Sequence, residues 1–339
     1  MRARKGLGAT LAIVGVLCLA VAALLAWAVV PNREQLPADT ATTRQYEGTA
    51  DVLLNAQALN AGDLRAALIV DTPVTAQRTV TVEATDGSAA EVSDERQLTA
   101  NGQTVGQSQV TYAVDRTSLE STTAIPSDWR VTPHQGLTVS WPIHTQKRDY
   151  TGWVNETRTT VPLRYERAES RGGVDTYVYT ASVPATPIKD EQVLAGLPRT
   201  LPVSVLGTLA SVLPIPPEVQ AGLAQALPGL ANPVPLAYTY ESTSTYWIEP
   251  STGIVVDTDR HEVRQAGIGG PGGSTIGSVA VFDVSTRFTP ASVTAAADDA
   301  RGARSTVRTF GTVVPWVLTG VGAIALVAGL VLARPGHRT

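Results

Sequence analysis

The sequence predicts an α+β fold: a mainly antiparallel β domain with short apolar helices, anchored by transmembrane helices at both ends. Three observations carry this prediction. Uncharged runs fill residues 7–30 and 313–333, and each is long enough to cross a hydrocarbon core of about 30 Å. Between them, several short segments alternate apolar and polar residues, as β-strands do. A proline-rich segment, residues 193–236, departs from that alternation and predicts helices.

The first apolar run has two alternatives to an uncleaved anchor. A basic start, an apolar run and the triplet Ala26-Trp27-Ala28 also fit a cleaved signal peptide. The apolar region of a signal peptide usually has only about 7–15 residues, however, and this run is longer. Cys18 suggests lipoprotein acylation, but Leu17 precedes it where a small residue is needed. We therefore expect an uncleaved transmembrane helix.

Basic residues near the first span predict its orientation in the plasma membrane. Arg2, Arg4 and Lys5 precede the span, and fewer basic residues follow it closely, so the N terminus is expected in the cytoplasm. Two spans then place both termini in the cytoplasm and the domain outside. The predicted segments are a cytoplasmic N terminus (1–6), a span (7–30), an extracytoplasmic domain (31–308), a second span (313–333) and a cytoplasmic tail (334–339).

Period-two patterns and β-branched residues predict most of the strands. Residues 31–49 are expected to form a tether, and residues 51–68 fit either a helix or a strand. Arg171-Gly172-Gly173 is typical of a hairpin turn, and the glycine cluster at 266–273 predicts a flexible hairpin tip. The predicted strands are 79–84, 107–114, 137–141, 159–170, 174–183, 236–248, 254–265 and 274–288.

The apolar insert at 193–236 is cut by prolines into pieces too short to span a bilayer. Two pieces, 203–213 and 217–227, predict short helices with apolar stripes. These helices can pack into the β domain, face lipid, or dock a partner protein. The lipid hypothesis assigns a ligand entrance to four leucines: Leu206, Leu209, Leu223 and Leu227.

A further helix is predicted after Pro290, leading towards the second span. Arg301, Arg304 and Arg308 lie on one face of this helix, at a spacing of i, i+3 and i+7. Charged side chains in such positions are usually exposed to water. A phosphate-rich headgroup layer beside the membrane is an alternative partner for them.

The residues give no indication of catalysis, a metal site or a bound cofactor. His134 and His144 have no metal-ligand spacing, so surface or turn positions are expected for them. Asp257 and Asp259 are expected on a solvated strand edge rather than in a catalytic pair. No serine nucleophile motif occurs, the single cysteine lies in the first span, and a net charge of −4 without basic runs argues against nucleic acid.

Three passages resemble the actinobacterial porin PorA family, long described as a domain of unknown function. They are residues 112–117, which include the candidate ion pair Asp115 and Arg116, residues 136–153, and residues 246–257. The resemblance covers essentially the whole chain and implies a cell-envelope protein without catalytic residues. The layout of two anchors and an apolar helical apex is also similar to that of CD36-type lipid receptors.

The leading hypothesis for function is a membrane-anchored envelope protein that binds or transfers an apolar lipid or glycolipid. An alternative is a scaffolding subunit that docks partner membrane proteins. A porin-like channel, as the family name suggests, is a further alternative, and it would need oligomers because two helices cannot wall an aqueous pore.

Overall fold

The computed structural model describes residues 2–24, 35–55, 58–59, 62–63, 67–212, 217–270, 275–309 and 313–333. The chain forms two compact units. One is the β domain, Ala38–Ala297, and the other combines Met1–Pro37 with Asp298–Thr339.

The β domain contains eleven strands and three short helices among its described residues. The strands are β1 (Ala41–Leu54), β2 (Leu68–Asp86), β3 (Ala89–Ala100), β4 (Gln103–Asp115), β5 (Tyr150–Val154), β6 (Thr159–Arg171), β7 (Val174–Pro187), β8 (Thr200–Leu201), β9 (Val234–Ile248), β10 (Val255–Gly269) and β11 (Thr275–Phe288). The helices are α1 (Arg2–Leu24), α2 (Glu191–Ala195), α3 (Val203–Val212), α4 (Pro217–Ala226), α5 (Pro290–Arg308) and α6 (Val314–Ala333), of which α2, α3 and α4 belong to the β domain.

All strands belong to one antiparallel sheet in the order β4-β3-β2-β1-β11-β10-β9-β7-β6-β5, and β8 also pairs with β9. Most neighbours are consecutive hairpins, but the first and last strands pair in the middle of the sheet. Tyr46 on β1 lies opposite Phe288 on β11, with ring centroids 4.9 Å apart. The chain therefore enters β1 and leaves β11 at the same end of the sheet.

The two faces of the sheet differ because side chains alternate along each strand. On β1, β2 and β3, three arginines lie opposite one another on one face, and glutamines occupy the next position on the other face. The glutamine face is exposed, and Gln45 donates to Gln77 across the strands at 2.7 Å. We call the arginine side the inner face, because the sheet curls around it, and the other side the outer face.

The insert at 193–236 packs against the end of the sheet that carries the β10–β11 hairpin. Leu206 of α3 and Leu223 of α4 form a buried cluster with Val234 and Ile268. Partly buried Ile276 also packs against this cluster. The two predicted helices are confirmed as α3 and α4. They cover one end of the curled sheet, which we call the half-barrel.

The opposite end of the sheet holds the β6–β7 hairpin. Gly172 and Gly173 both have positive φ angles, of 60° and 76°, so the hairpin turn predicted at 171–173 is confirmed. Val293 and Ala297 in the first half of α5 pack against Val256. A Cβ on Gly172 would lie 3.0 Å from the Cβ of Ala297, which leaves little room for a larger residue.

The second unit contains α1, α6 and the end of α5. Helices α1 and α6 approach so closely that a Cβ on Gly15 would lie 2.6 Å from the backbone nitrogen of Leu326. Close approach of two helices at a small residue is common where helices associate in lipid. Val314–Leu332 has a mean hydropathy of 2.1 and is long enough to span a membrane, whereas the apolar part of α1, Thr10–Leu24, is shorter.

Three strand predictions need correction. Residues 41–54, predicted in part as a tether, form β1, and β3 at 89–100 was not predicted at all. Residues 137–141 form no strand, although Leu137 makes one isolated bridge with Gly152. Leu137, Val139 and Trp141 are each 5% exposed. Their alternation reflects a bent segment that is buried on one side without a partner strand. The tip of the glycine-rich hairpin, residues 271–274, lies outside the described residues.

Candidate functional site

A ladder of arginines crosses the inner face on three neighbouring strands. Arg44 on β1 lies opposite Arg78 on β2, which lies opposite Arg96 on β3. Like charges placed directly opposite one another on a sheet repel. Such a ladder therefore needs carboxylates or solvent to balance it.

Asp94 neutralises part of this charge and is only 3% exposed. Arg78 donates to both carboxylate oxygens of Asp94, from Nε at 2.8 Å and from Nη2 at 3.0 Å, and Arg96 donates from Nη2 at 2.9 Å. Burial alone would raise the pKa of Asp94, but the charges of Arg78 and Arg96 outweigh it and hold this pKa well below its usual range. Asp94 is therefore ionised at neutral pH, and one carboxylate serves two guanidinium groups.

A second group of charges lies on β10, also on the inner face. Arg260 contacts Glu262 at 3.1 Å and donates to the Tyr240 hydroxyl at 2.7 Å. That hydroxyl donates in turn to Glu262 at 2.8 Å. Arg264, two residues further along, lies over the ring of Phe282, 4.5 Å from its centroid. Burial raises the pKa of Glu262, but the charges of Arg260 and Arg264 outweigh it and lower this pKa.

The two groups face each other because the sheet curls. Four strand-to-strand steps separate β3 from β10, which is about 19 Å along a flat sheet. Asp94 raises the pKa of Arg96, while burial and the positive charge of Arg260 oppose this. An influence of Arg260 on Arg96 requires a much shorter distance across a concave surface. Sheets of about ten twisted strands commonly curl in this way.

Glu156, in the turn between β5 and β6, adds a carboxylate to the same space. Its charge acts on the pKa values of Arg96 and Tyr112 on one side of the curl, and on those of Tyr240 and Arg260 on the other. The turn therefore lies between the two walls of the half-barrel.

The charged side chains on this concave surface are partly exposed. The side chains of Arg78, Arg96 and Arg260 are 22%, 38% and 23% exposed, and that of Glu262 is 18% exposed. These values are well above those of the core, although charged groups from several strands surround each side chain. We call this space between the charged walls the lumen.

Residues 116–149 connect β4 to β5 and cross the inner face; we call this segment the strap. His134 of the strap stacks edge-on against Tyr112 of β4, with ring centroids 4.9 Å apart. Trp141 stacks on Tyr179 of β7, with a centroid distance of 4.3 Å. Between them, the backbone oxygen of Thr138 accepts a hydrogen bond from Arg78 at 3.2 Å. The strap therefore links β2 and β4 to β7 across the inner face of the sheet.

The leucines predicted to line a lipid entrance lie in the cluster of α3 and α4. Leu206 is 6% exposed and Leu223 is 1% exposed. Neither is half exposed, as an entrance would require, so both act as core residues and the packing interpretation of the insert fits them better. The side chains of Leu209 and Leu227 lie outside the described residues.

The arginines predicted to contact headgroups lie on the second half of α5. Arg301 and Arg304 are exposed, and Arg301 forms an ion pair with Asp298 one turn away. The side chain of Arg308 lies outside the described residues. A headgroup contact stays a prediction for all three.

One of the acidic predictions needs correction. Asp257 was expected on a solvated edge, but it is 2% exposed and forms an ion pair with Arg171 at 2.5 Å. A bulge between residues 255 and 257 accompanies this position, while Asp259 is exposed as expected. The carboxylate of Asp115 accepts hydrogen bonds from the backbone amides of Thr117 and Ser118, at 2.9 and 2.8 Å, and its pairing with Arg116 stays a prediction.

The two histidine predictions have different outcomes. His144 has a φ of 60° and sits in a turn, whereas His134 is buried at 9% exposure, which corrects its expected surface or turn position. Burial lowers the pKa of His134 against a hydrogen bond with Thr132. No group of histidine, cysteine and carboxylate side chains suited to a metal occurs among the described residues.

The lumen charges were missed at the sequence level, although a signal for them exists. Once 68–86 and 89–100 are recognised as paired strands, Arg78, Asp94 and Arg96 fall on the face shared with buried Val74 and Val92. Charges on the buried face of a strand are uncommon. They would have marked the inner face as a candidate site.

Taken together, the described residues form a curled antiparallel sheet with a charged inner face, and one C-terminal helix that is long and apolar enough to cross a membrane. The sequence model of the family described as "Porin PorA" matches residues 7–331. The chain therefore belongs to the Porin PorA family, and this membership implies a membrane location.

Other comparisons add little. No curated protein matches the sequence significantly. An acyl-CoA thioesterase II, TesB2, from Mycobacterium marinum is 11% identical, with 74% of this chain and 80% of that chain covered and a TM-score of 0.13. A conserved hot dog fold protein of unknown function from Alicyclobacillus acidocaldarius is 13% identical, with 76% and 81% covered and the same TM-score of 0.13. Neither carries an argument here.

Proposed function

We propose that this protein is a two-pass membrane protein of the cell envelope whose half-barrel provides a porin-like path for polar solutes. In this proposal α1 and α6 anchor the chain with both termini in the cytoplasm, and the β domain lies outside. The protein acts by binding and passage rather than by catalysis. The single observation that carries the proposal is the lumen, in which partly exposed arginines on β3 and β10 act on each other.

The surface of the sheet supports a domain in water rather than in lipid. A transmembrane barrel turns an apolar band outwards and a polar surface inwards. Here the outer face is also polar, with Thr43 bonded to Thr79 at 3.0 Å and Arg287 paired with Glu47 at 3.1 Å. The lumen would therefore extend a path outside the bilayer.

The helical unit supports membrane attachment. Ile13 on α1 is 61% exposed, and Trp316 and Ile324 on α6 are each 73% exposed. Exposed apolar side chains on a helix of this hydropathy match a lipid environment better than water. Assembly of several such helix pairs would supply the wall of a pore that one pair cannot form.

Conductance of the full chain in planar lipid bilayers tests the proposal. We expect discrete conductance steps, and a reversal potential in a KCl gradient that shows a preference for anions, because arginines outnumber carboxylates in the lumen. Arg96→Gln should weaken this preference. Arg287→Gln, on the outer face with a side chain that is 67% exposed, is the matched control and should leave it unchanged. A bilayer no more conductive than a protein-free one would refute the porin-like role.

A further inference from the structure

The inner face carries more positive than negative charge. Among the described residues, the strands contribute five arginines and two carboxylates to this face, and the β5–β6 turn contributes one more carboxylate. The arginines are Arg44, Arg78, Arg96, Arg260 and Arg264, and the carboxylates are Asp94, Glu262 and Glu156. An excess of positive charge in a concave site focuses the field on anions.

The donors on the β2–β3 wall are already used. Arg78 binds Asp94 through two nitrogens and the strap through Thr138, and Arg96 binds the same carboxylate. This wall contributes mainly its field. An additional ligand has few free hydrogen-bond donors to meet there.

Two donors on the β10 wall are not used. The Nε atoms of Arg260 and Arg264 are buried and have no hydrogen-bond partner among the described residues. Within the same residues, Arg264 forms no ion pair either, and Phe282 supports the face of its guanidinium group. Buried charged donors without partners are rare, and each calls for an explanation such as an absent ion. The two arginines lie four residues apart on one face of one strand, on either side of Glu262.

We propose that the β10 wall of the lumen is a binding site for one oxyanion group, a carboxylate or a phosphate, with Arg264 and Arg260 as its donors. The proposal rests on the porin-like function and names the class of solute that it takes. The planar fork of a guanidinium group suits both oxyanions. Glu262 and Glu156 limit the negative charge that a ligand of this site can carry, because each adds a negative charge near the same site. The oxyanion can belong to a free solute or to a lipid headgroup.

Calorimetric titration with inorganic phosphate tests the proposal. The full chain is held in neutral detergent, and chloride keeps the ionic strength constant. We expect saturable binding of phosphate, weakened at least tenfold by Arg264→Gln. Arg287→Gln should bind within twofold of the wild type. Arg264→Lys keeps the positive charge but loses the planar guanidinium group. Its affinity for phosphate should therefore lie between those of the wild type and Arg264→Gln, and it replaces Arg264→Gln in the test if that variant does not fold. Equal binding by all variants, or no binding by the wild type, would overturn the proposal.

A second arm distinguishes the source of the anion. Nanodiscs of phosphatidylglycerol and of phosphatidylcholine are compared as competitors for the bound phosphate. If phosphatidylglycerol competes with phosphate, phosphatidylcholine does not, and Arg264→Gln abolishes the competition, the site binds an anionic headgroup. If neither lipid competes, the site binds a free anion. Conductance measured on the same preparations separates the two proposals. Conductance without phosphate binding would refute only the site, and binding without conductance would refute only the porin-like path.

Discussion

Replacement of Asp94 by asparagine tests whether the lumen charges are built on this carboxylate. The change removes the negative charge between Arg78 and Arg96 while it preserves the size of the side chain. Removal of one partner of a buried ion pair costs about 3–5 kcal/mol, because a charge is left unpaired. Arg78 and Arg96 are 22% and 38% exposed, so water can partly replace the carboxylate. We therefore expect a loss near the lower end, about 3 kcal/mol.

For a domain of this size, about 3 kcal/mol corresponds to a fall in Tm of roughly 6–12 °C. Thermal unfolding followed by circular dichroism measures this fall on the full chain. Asp259→Asn is the matched control: Asp259 is exposed on the outer face of β10, and its loss should change the free energy of unfolding by no more than about 0.5 kcal/mol. A fall in Tm below 2 °C for Asp94→Asn would show that the lumen charges do not depend on Asp94.

The pH dependence of this difference has a definite sign. The folded state lowers the pKa of Asp94, so its stabilisation is fully present above the unfolded pKa of about 3.9 and is lost as the pH falls through the folded value. The difference in Tm between wild type and Asp94→Asn should be constant from pH 5 to pH 8. It should shrink only below about pH 4. A difference that disappears near pH 6 would contradict the assignment.

Two further predictions concern packing and acid sensitivity. A Cβ on Gly48 would lie 1.8 Å from the backbone oxygen of Ser285, whereas one on Gly106 would lie 3.6 Å from the nearest side-chain atom. Gly48→Ala should therefore lower the free energy of unfolding by about 1–3 kcal/mol, and Gly106→Ala should not; equal Tm values for the two variants would refute this. Burial lowers the pKa of His134, so its contribution to stability is complete above about pH 6.5 and is lost as the pH falls below that value. Between pH 7.5 and pH 5.5 the Tm of His134→Phe should fall by less than the Tm of the wild type. Equal falls in Tm for the two proteins would show that His134 does not cause the acid sensitivity.

The alternation of side chains predicted most strands where one face is apolar. The segment 174–183 lies within β7, where Tyr179 and Val183 are buried on the inner face, and 254–265 lies largely within β10. Residues 137–141 alternate equally well but have no partner strand, because alternation reports burial on one side and not hydrogen bonding to a neighbour. Pairing depends on distant residues that one sequence does not reveal.

The candidate site escaped prediction for a related reason. β3 places Asp94 and Arg96 at inward positions where an apolar residue is expected, so its sequence looks polar on both faces. The residues that build the lumen are those that break the pattern used to find strands. The helices at 203–213 and 217–227 were predicted because prolines and apolar residues fix them locally. Their burial depends on Ile268 and Val234, which are distant in sequence.

The pairing of β1 with β11 has a consequence for the order of synthesis. Glu47 lies opposite Arg287, so the central seam of the sheet joins residues that are 240 positions apart in the sequence and are synthesised at well-separated times. Until β11 emerges, β1 has an open edge and the lumen lacks the continuity that brings β3 near β10. Long-range pairing of this kind slows folding, and an open edge invites association with other chains. A ribosome-bound or truncated chain that ends before β11 would therefore need a chaperone to protect that edge.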